Sequence, residues 1–128
     1  MNPDWSLSYL HNVKLVATDS GTLAVPYDFD FSGLVDTPYA VPDPKLGIRS
    51  VRQRLYRGPC LSAEALAPTL RQFTERRAAI AALYDSLPAL DRGYARDAVR
   101  FLDEFWNETR DPDAFARRVV RRACQPGT

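Results

Sequence analysis

The sequence contains few of the residues that build metal sites, and no segment suited to spanning a membrane. It has two cysteines, one histidine and one methionine in 128 residues. Cys60 and Cys124 are too few and too far apart for the spacing of a zinc site, and the lone histidine, His11, does not add one. No apolar run approaches the ~20 residues that a transmembrane helix requires. We therefore expect neither a zinc module nor a membrane-spanning helix.

The sequence also has almost no net charge, +1 at pH 7. The chain as a whole therefore gives no reason to expect nucleic acid or a membrane as a partner. The charge is nevertheless uneven: residues 1–47 contain two lysines and six aspartates, a formal charge of −4. Residues 48–128 contain fifteen arginines and ten acids, a formal charge of +5. We expect the two parts to attract each other and to favour ligands of opposite charge.

The N-terminal residues lack the basic segment and hydrophobic core of a signal peptide. Read as written, the sequence predicts a cytoplasmic protein; export is the alternative if an upstream segment precedes it. The two cysteines are expected to be unpaired thiols. The alternative is that the last helix folds back so that Cys124 pairs with Cys60, which would indicate an oxidising compartment.

The composition is that of an ordinary soluble domain, with 45% hydrophobic and 26% charged residues. The chain is long enough to bury a core without metal or disulfide crosslinks. We predict a single α+β domain. Residues 1–47 would form a short β-hairpin with an acidic loop, and residues 48–128 a bundle of three to four helices.

A β-hairpin is predicted near the N-terminus. Apolar and polar residues alternate from Val13 to Ala17, the pattern of a half-buried strand. The tripeptide at 19–21, Asp-Ser-Gly, has the chemistry of a tight turn. A second strand is expected at 23–27, and Pro26 suggests an edge or a strand end. The prolines of residues 34–47 then predict an irregular loop.

Three helix starts are marked by capping residues. Ser62 and Asp91 are good N-caps, and Asp111 with Pro112 is a stronger start signal, since proline suits the first helical position. Pro68 is expected to kink its helix or to move the start later. A further short helix is predicted at 48–57. The apolar residues expected on the inward helix faces are Leu66, Leu70, Phe73, Ile80, Leu83, Tyr84, Leu87, Tyr94, Ala98, Phe101, Leu102, Phe105, Phe115, Val119 and Ala123.

The candidate site is a set of oxygen donors around the hairpin. Asp28 and Asp30 follow the second strand among aromatic residues, and Asp4 and Asn12 precede or begin the first strand. Phosphoryl transfer uses such a set: one carboxylate orients the nucleophile, while an amide oxygen and another carboxylate hold Mg²⁺ against the phosphates.

The order NPDW, HN at a strand start, a hairpin and then DFD-Ser-Gly resembles the C-lobe core of atypical kinase-like enzymes over residues 2–33. The nearest resemblances are to CotH-type spore-coat kinases and, more loosely, to HipA-like and phosphoinositide kinases. The resemblance implies that Asp4 is the catalytic acid/base, that Asn12 and Asp28 bind the metal, and that Asp30 is a second possible ligand. It also implies Mg²⁺ or Mn²⁺ and ATP as cofactors.

The resemblance further implies a nucleotide-binding N-lobe, with a glycine-rich loop and a lysine for the phosphates, which residues 1–128 do not contain. We therefore expect a C-lobe piece of a larger protein that would be inactive alone. In the intact protein, the partners would be an upstream N-lobe, a nucleotide and an unknown phosphate acceptor.

Each candidate residue also has a structural interpretation. Asp4 could cap a helical turn starting at Trp5, and Asn12 could satisfy loop backbone. Asp28 and Asp30 could form ion pairs with Arg52 or Arg54, the two residues that are alternatively candidates for phosphate binding. The alternative function is then a non-catalytic helical binding module that docks a partner through its acidic hairpin loop.

Overall fold

The computed structural model describes residues 4–6 and 10–124. The chain divides into two compact units, Met1–Arg54 and Leu55–Thr128, which we call unit 1 and unit 2. The α+β prediction is confirmed, because unit 1 holds an antiparallel hairpin and unit 2 holds the helices. The boundary falls after Arg54 rather than after residue 47, so the basic segment 48–54 belongs with the hairpin. Among the described residues, no helix is long and apolar enough to cross a membrane.

The hairpin of unit 1 joins β1 (Val13–Thr18) to β2 (Gly21–Pro26). The register pairs Val13 with Pro26 at the open end and Thr18 with Gly21 at the turn. The hydroxyl of Thr18 donates to the carbonyl of Gly21 at 2.7 Å. Gly21 has φ 129°, a conformation that L side chains rarely adopt, which explains glycine at this turn. The predicted hairpin and its turn are therefore confirmed.

The expected half-burial of the hairpin is wrong. Only Val13 is buried, whereas Leu15 is 51% exposed and Leu23 is 56% exposed. Alternation of apolar residues indicates one covered face only if another layer packs on the sheet. In the described part of unit 1, the only other regular element is a 3-10 turn at Pro44–Leu46, so neither face of the hairpin beyond Val13 is covered.

The predicted helix at 48–57 is absent, and this segment forms tight turns followed by extended chain. Val51 is its one deeply buried residue, at 1% exposure. The hydroxyl of Ser50 accepts from the backbone N–H of Arg52 at 3.1 Å, and the backbone N–H of Arg49 donates to the side-chain carbonyl of Gln53. Such local side-chain bonds compete with helix formation, which explains why the apolar spacing here was misleading.

Gly33, in the loop after the hairpin, lies directly against the backbone of the basic segment. A Cβ atom at this position would lie 2.9 Å from the Cα of Arg52 and would collide with the carbonyl oxygen of Val51. Both of these atoms belong to the backbone, so no side chain can move aside to make room. The acidic loop and the basic segment therefore pack directly against each other at Gly33.

Gly33→Ala should destabilise unit 1 by roughly 1–3 kcal/mol, because the added methyl overpacks the backbone of the neighbouring segment. Amide hydrogen exchange of the hairpin and of Ser32, whose N–H bonds to the carbonyl of Phe29 at 2.8 Å, would measure the loss. Unchanged protection would contradict the close contact.

Unit 2 contains α1 (Ala63–Glu75), α2 (Arg77–Asp85) and α3 (Arg92–Thr109). A C-terminal helix follows, which consists of α4 (Pro112–Phe115), a π-helical turn (Ala116–Val120) and α5 (Arg121–Ala123).

The three predicted helix starts are confirmed. Ser62, Asp91 and Asp111 each accept a backbone N–H with the side chain, at 3.3, 2.9 and 3.0 Å. Pro68 lies inside α1 and does not move its start.

The core of unit 2 lies between α1 and the C-terminal helix. Its buried members are Leu66, Leu70, Phe115, Ala116 and Val120. The prediction of an inward face is correct for the first three of these, and Val119 packs partly buried against the same cluster. Ala116 and Val120, the first and last residues of the π-helical turn, complete the core.

Several residues predicted to face inward are exposed instead. They are Phe73, Leu83, Leu87 and Tyr94. The helix α2 has no buried residue, so part of its apolar stripe remains uncovered. In α3 the buried positions are Ala95, Ala98, Phe101, Trp106 and Thr109, so the face begins at Ala95 rather than at Tyr94. Helical periodicity predicts a stripe but not how many neighbours cover it.

The end of α1 and the start of α2 are held to α3 by four contacts of polar and aromatic groups. The indole N–H of Trp106 donates to the backbone carbonyl of Phe73 at 3.1 Å, and the rings of Phe73 and Phe105 meet edge-to-face at 5.5 Å. Arg77, at the start of α2, lies over the indole at 5.3 Å and pairs with Asp103 at 2.8 Å. These contacts fix the bend between α1 and α2 against α3.

Cys60 and Cys124 form a disulfide, with their Cα atoms 4.9 Å apart. The expectation of two unpaired thiols is therefore wrong, and the alternative in which the last helix returns to Cys60 is correct. The C-terminal helix packs on α1 through Phe115 and Val120, which brings its end to the segment that leads into α1. The bond closes a loop with a sequence separation of 64 residues.

Removing the disulfide should lower the free energy of unfolding of unit 2 by roughly 2–4 kcal/mol, because a long loop is no longer closed in the unfolded chain. The Cys60→Ser/Cys124→Ser variant and the wild type in a thiol reductant should show the same loss. Urea unfolding followed by far-UV circular dichroism measures it. If the reductant also lowered the stability of the double variant, the loss could not be assigned to the disulfide.

Candidate functional site

Asn12 is the buried centre of the candidate site in unit 1. It is 9% exposed, and its side-chain amide donates to the backbone carbonyl of Asp4 at 2.8 Å and to the carboxylate of Asp4 at 3.0 Å. The backbone carbonyl of Asn12 accepts from the N–H of Tyr27 at 3.0 Å. One residue therefore ties the segment before β1 to the end of β2, where the acidic loop begins.

His11 joins this site, although the sequence analysis did not count it as a site residue. Its Nδ1 lies 3.3 Å from the carboxylate of Asp4. Its backbone exchanges two hydrogen bonds with Ser6, at 3.1 and 2.9 Å, which hold the Asp4 segment beside it. The imidazole is more than half exposed, so it lies at the edge of the site facing solvent. Its position next to Asn12 in the sequence was the available signal.

Asp28 and Asp30 lie together at the start of the acidic loop. The pKa of Asp28 is raised above its ordinary value of 3.8, first because its side chain hydrogen-bonds to Asp30 and then because of the negative charge of Asp30. The negative charge of Asp4 raises it further. The hydrogen bond and the negative charge both favour the protonated form of Asp28. The structure thus brings three of the four predicted residues into one electrostatic neighbourhood, and Asn12 holds Asp4 there.

The loop that presents these acids is fixed by its own hydrogen bonds. The hydroxyl of Thr37 donates to the backbone carbonyl of Asp30 at 3.0 Å, and buried Ser32 accepts from the backbone N–H of Val35 at 3.2 Å. The ring of Phe31 meets that of Tyr39 edge-on at 6.1 Å. Phe31, the aromatic residue between Asp30 and Ser32, therefore helps to anchor the loop.

Both Asn12 and Asp28 have a left-handed backbone conformation, with φ of 52° and 57°. Asn and Asp tolerate this region better than other residues with a side chain, but it remains uncommon outside glycine. Such positions concentrate at functional sites, where the surrounding structure compensates for their energy cost. Leu10 and Asp36, which are not predicted site residues, have the same left-handed conformation, with φ of 51° and 53°.

The basic segment contributes one ion pair next to the acidic loop. Arg52 lies 3.3 Å from the carboxylate of Asp36, an acid outside the predicted set. Both side chains are about one-third to two-fifths exposed, and a pair of this kind contributes at most ~1 kcal/mol.

The donor set suits a hard cation, although it is not closed around one. Carboxylate oxygens and an amide oxygen are the ligands that Mg²⁺ prefers, and this ion keeps several waters. Within residues 4–6 and 10–124, no three His, Cys, Asp or Glu side chains already converge as a metal site. The indole N–H of Trp5, next to Asp4, is buried without an acceptor in the described part of the chain, so this segment has one unmet hydrogen-bond donor.

No protein-family model matches the chain, and neither a curated protein nor a solved structure matches it.

Replacement of Asp30 by alanine should lower the pKa of Asp28 towards 3.8, because both leading causes of the raised value are removed. Asp4→Asn should lower it less, and Asp19→Ala, at the hairpin turn, should leave it unchanged. Carboxyl NMR titration of the wild type and variants measures the shift.

The raised pKa also gives a sign to the pH dependence. Protonated Asp28 is favoured in the folded state, so its contribution to stability is present below pH 3.8 and is lost as pH rises through the raised value. Asp30→Ala should remove that part of the pH dependence. An unshifted pKa of Asp28 in the wild type would contradict its interaction with Asp30.

Proposed function

We propose that unit 1 is the metal- and phosphate-binding part of a kinase-like phosphotransferase C-lobe, with Mg²⁺ or Mn²⁺ and ATP as cofactors. The observation that carries this proposal is the gathering of Asp4, Asp28 and Asp30 into one negative neighbourhood, with Asn12 as its buried hydrogen-bonding centre. Two carboxylates that interact directly, with the charge of Asp4 acting on one of them, favour a bound cation.

The chain's own residues would divide the work as follows. Asp28 and Asp30 would hold the cation through their carboxylate oxygens. The side-chain N–H groups of Asn12 would fix the Asp4 segment. The side-chain carbonyl oxygen of Asn12 is the candidate metal ligand. A bound Mg²⁺ would neutralise charge on the phosphates.

Asp4 is the candidate acid/base of this proposal. One of its carboxylate oxygens accepts from Asn12, and the other lies beside His11. These two contacts orient the carboxylate. To act as the base, it must lie within hydrogen-bond reach of the hydroxyl group of the phosphate acceptor. His11 would act as a positioning residue for Asp4. Arg52 and Arg54 remain candidates for binding phosphate groups of the substrates.

The resemblance to kinases assigns the nucleotide-binding loop and its lysine to an N-lobe. We accordingly propose that residues 1–128 bind the metal weakly by themselves, and that phosphoryl transfer requires the N-lobe as well.

A metal titration of the purified chain tests the proposal. Mn²⁺, with and without ATP, should broaden the NMR signals of residues 27–33, and Asp28→Ala and Asn12→Ala should each weaken binding about tenfold or more. Asp19→Ala is the matched control: it removes the same charge from unit 1 at the hairpin turn and should leave the affinity unchanged.

Two outcomes would overturn the proposal. Equal weakening in Asp19→Ala would mean that Mn²⁺ senses only the net charge of the unit. Absence of binding, together with unfolding of Asp28→Ala, would mean that the acidic loop serves the structure of unit 1.

A non-catalytic binding module is the second candidate, and the exposed hairpin favours it. Val16, Leu23 and Val25 share one face of the hairpin by its register, and each is at least 44% exposed. An apolar face beside an acidic loop is typical of a protein interaction site. In this case the acidic loop would dock a partner, and Mn²⁺ would not distinguish Asp28 from Asp19.

We also propose that the chain functions in an oxidising compartment. The support is the disulfide between Cys60 and Cys124, because such bonds persist in secreted and periplasmic proteins and are rare in the cytosol. This proposal replaces the cytoplasmic expectation with the exported alternative.

A further inference from the structure

Four arginines form an exposed stripe on the C-terminal helix of unit 2. They are Arg117, Arg118, Arg121 and Arg122. The opposite side of the same helix turn is buried, since Ala116 is 3% and Val120 0% exposed. The core therefore fixes the direction of the helix, and all four side chains lie on the solvent side.

The stripe lacks the counter-charges that accompany other arginines of this unit. Arg77 pairs with Asp103 at 2.8 Å and Arg100 with Asp97 at 2.6 Å. In the described part of unit 2, no acidic side chain pairs with any of the four stripe residues. Like charges one turn apart destabilise a helix, so the sequence keeps an arrangement that does not help the helix itself.

The helix is held at both ends, so the stripe is preorganised. Its start is capped by Asp111, whose side chain accepts from Ala114 at 3.0 Å. Its end is tied by the disulfide of Cys124, two residues beyond Arg122. Between them, the backbone N–H of Arg121 bonds to the carbonyl of Ala116 across a π-helical turn, a feature frequent at functional sites. A fixed surface loses less entropy on binding than a mobile one.

We propose that this stripe binds a short, extended acidic segment of a partner protein. Guanidinium groups form paired hydrogen bonds with carboxylates. The four arginines lie on two levels of the helix about one turn, or 5.4 Å, apart. Alternate residues of an extended segment are about 6.6 Å apart, so carboxylates at every second position match the two levels. This surface is distinct from the candidate metal site in unit 1.

The small size of the stripe argues for a peptide rather than a larger polyanion. It covers six residues of one helix, and the same helix carries Asp111 and Asp113 at its other end. Outside the stripe, unit 2 contains eight arginines and ten acids, so its wider surface has a net negative charge that would repel a nucleic acid or an anionic membrane.

Fluorescence anisotropy with a labelled peptide of alternating Asp and Thr tests the proposal. The intact chain should bind the peptide, more weakly as salt rises. Exchange of all four stripe residues for glutamine should weaken binding about tenfold or more. The control exchanges four other exposed arginines of unit 2 for glutamine, with the same change in net charge, and should bind like the wild type: Arg71, Arg76, Arg96 and Arg110.

A second variant separates charge and fold from guanidinium chemistry. The variant with lysine at all four stripe positions keeps the charge and should fold. It should still bind the peptide more weakly, because lysine cannot form the paired hydrogen bonds of a guanidinium group. Equal affinity in the lysine variant, or equal weakening in the control, would overturn the proposal. Tighter binding of a single-stranded oligonucleotide or of phosphatidylglycerol vesicles than of the peptide would overturn it as well.

Discussion

Asn12 connects three segments of unit 1 through hydrogen bonds from both its side chain and its backbone. Its side-chain amide donates to Asp4, and its backbone carbonyl accepts from the N–H of Tyr27 at the end of β2. Because the group is buried, loss of either partner would leave a polar atom without water or protein to satisfy it. The acidic loop starts one residue after Tyr27, so the position of Asp28 relative to Asp4 depends on this one residue.

The two units are stabilised by different kinds of contact. Unit 2 buries an apolar cluster between α1 and the C-terminal helix and closes it with the Cys60–Cys124 bond. Unit 1 buries few side chains and relies on hydrogen-bonded loops and on the backbone contact of Gly33 with Val51. These contacts hold Asn12 and Asp28 in their left-handed backbone conformation.

Helix starts and the hairpin turn were predictable because one residue there acts on backbone only a few positions away. Ser62, Asp91 and Asp111 cap helices because a side-chain oxygen can reach an N–H two or three residues on, and Gly21 permits the hairpin turn. Predictions that needed a partner element failed more often. Leu15 and Leu83 have strand and helix periodicity but no covering layer, and the 48–57 segment lost its helix to the local bonds of Ser50.

The sequence by itself determined the α+β class, the helix starts and the hairpin. Only the tertiary structure decided that Asp4 bonds to Asn12, that His11 joins them, and that Cys60 meets Cys124. Caps and turns depend on atoms a few residues apart, which the order of residues specifies directly. Contacts between distant segments depend on how whole elements pack, and no short pattern encodes that packing.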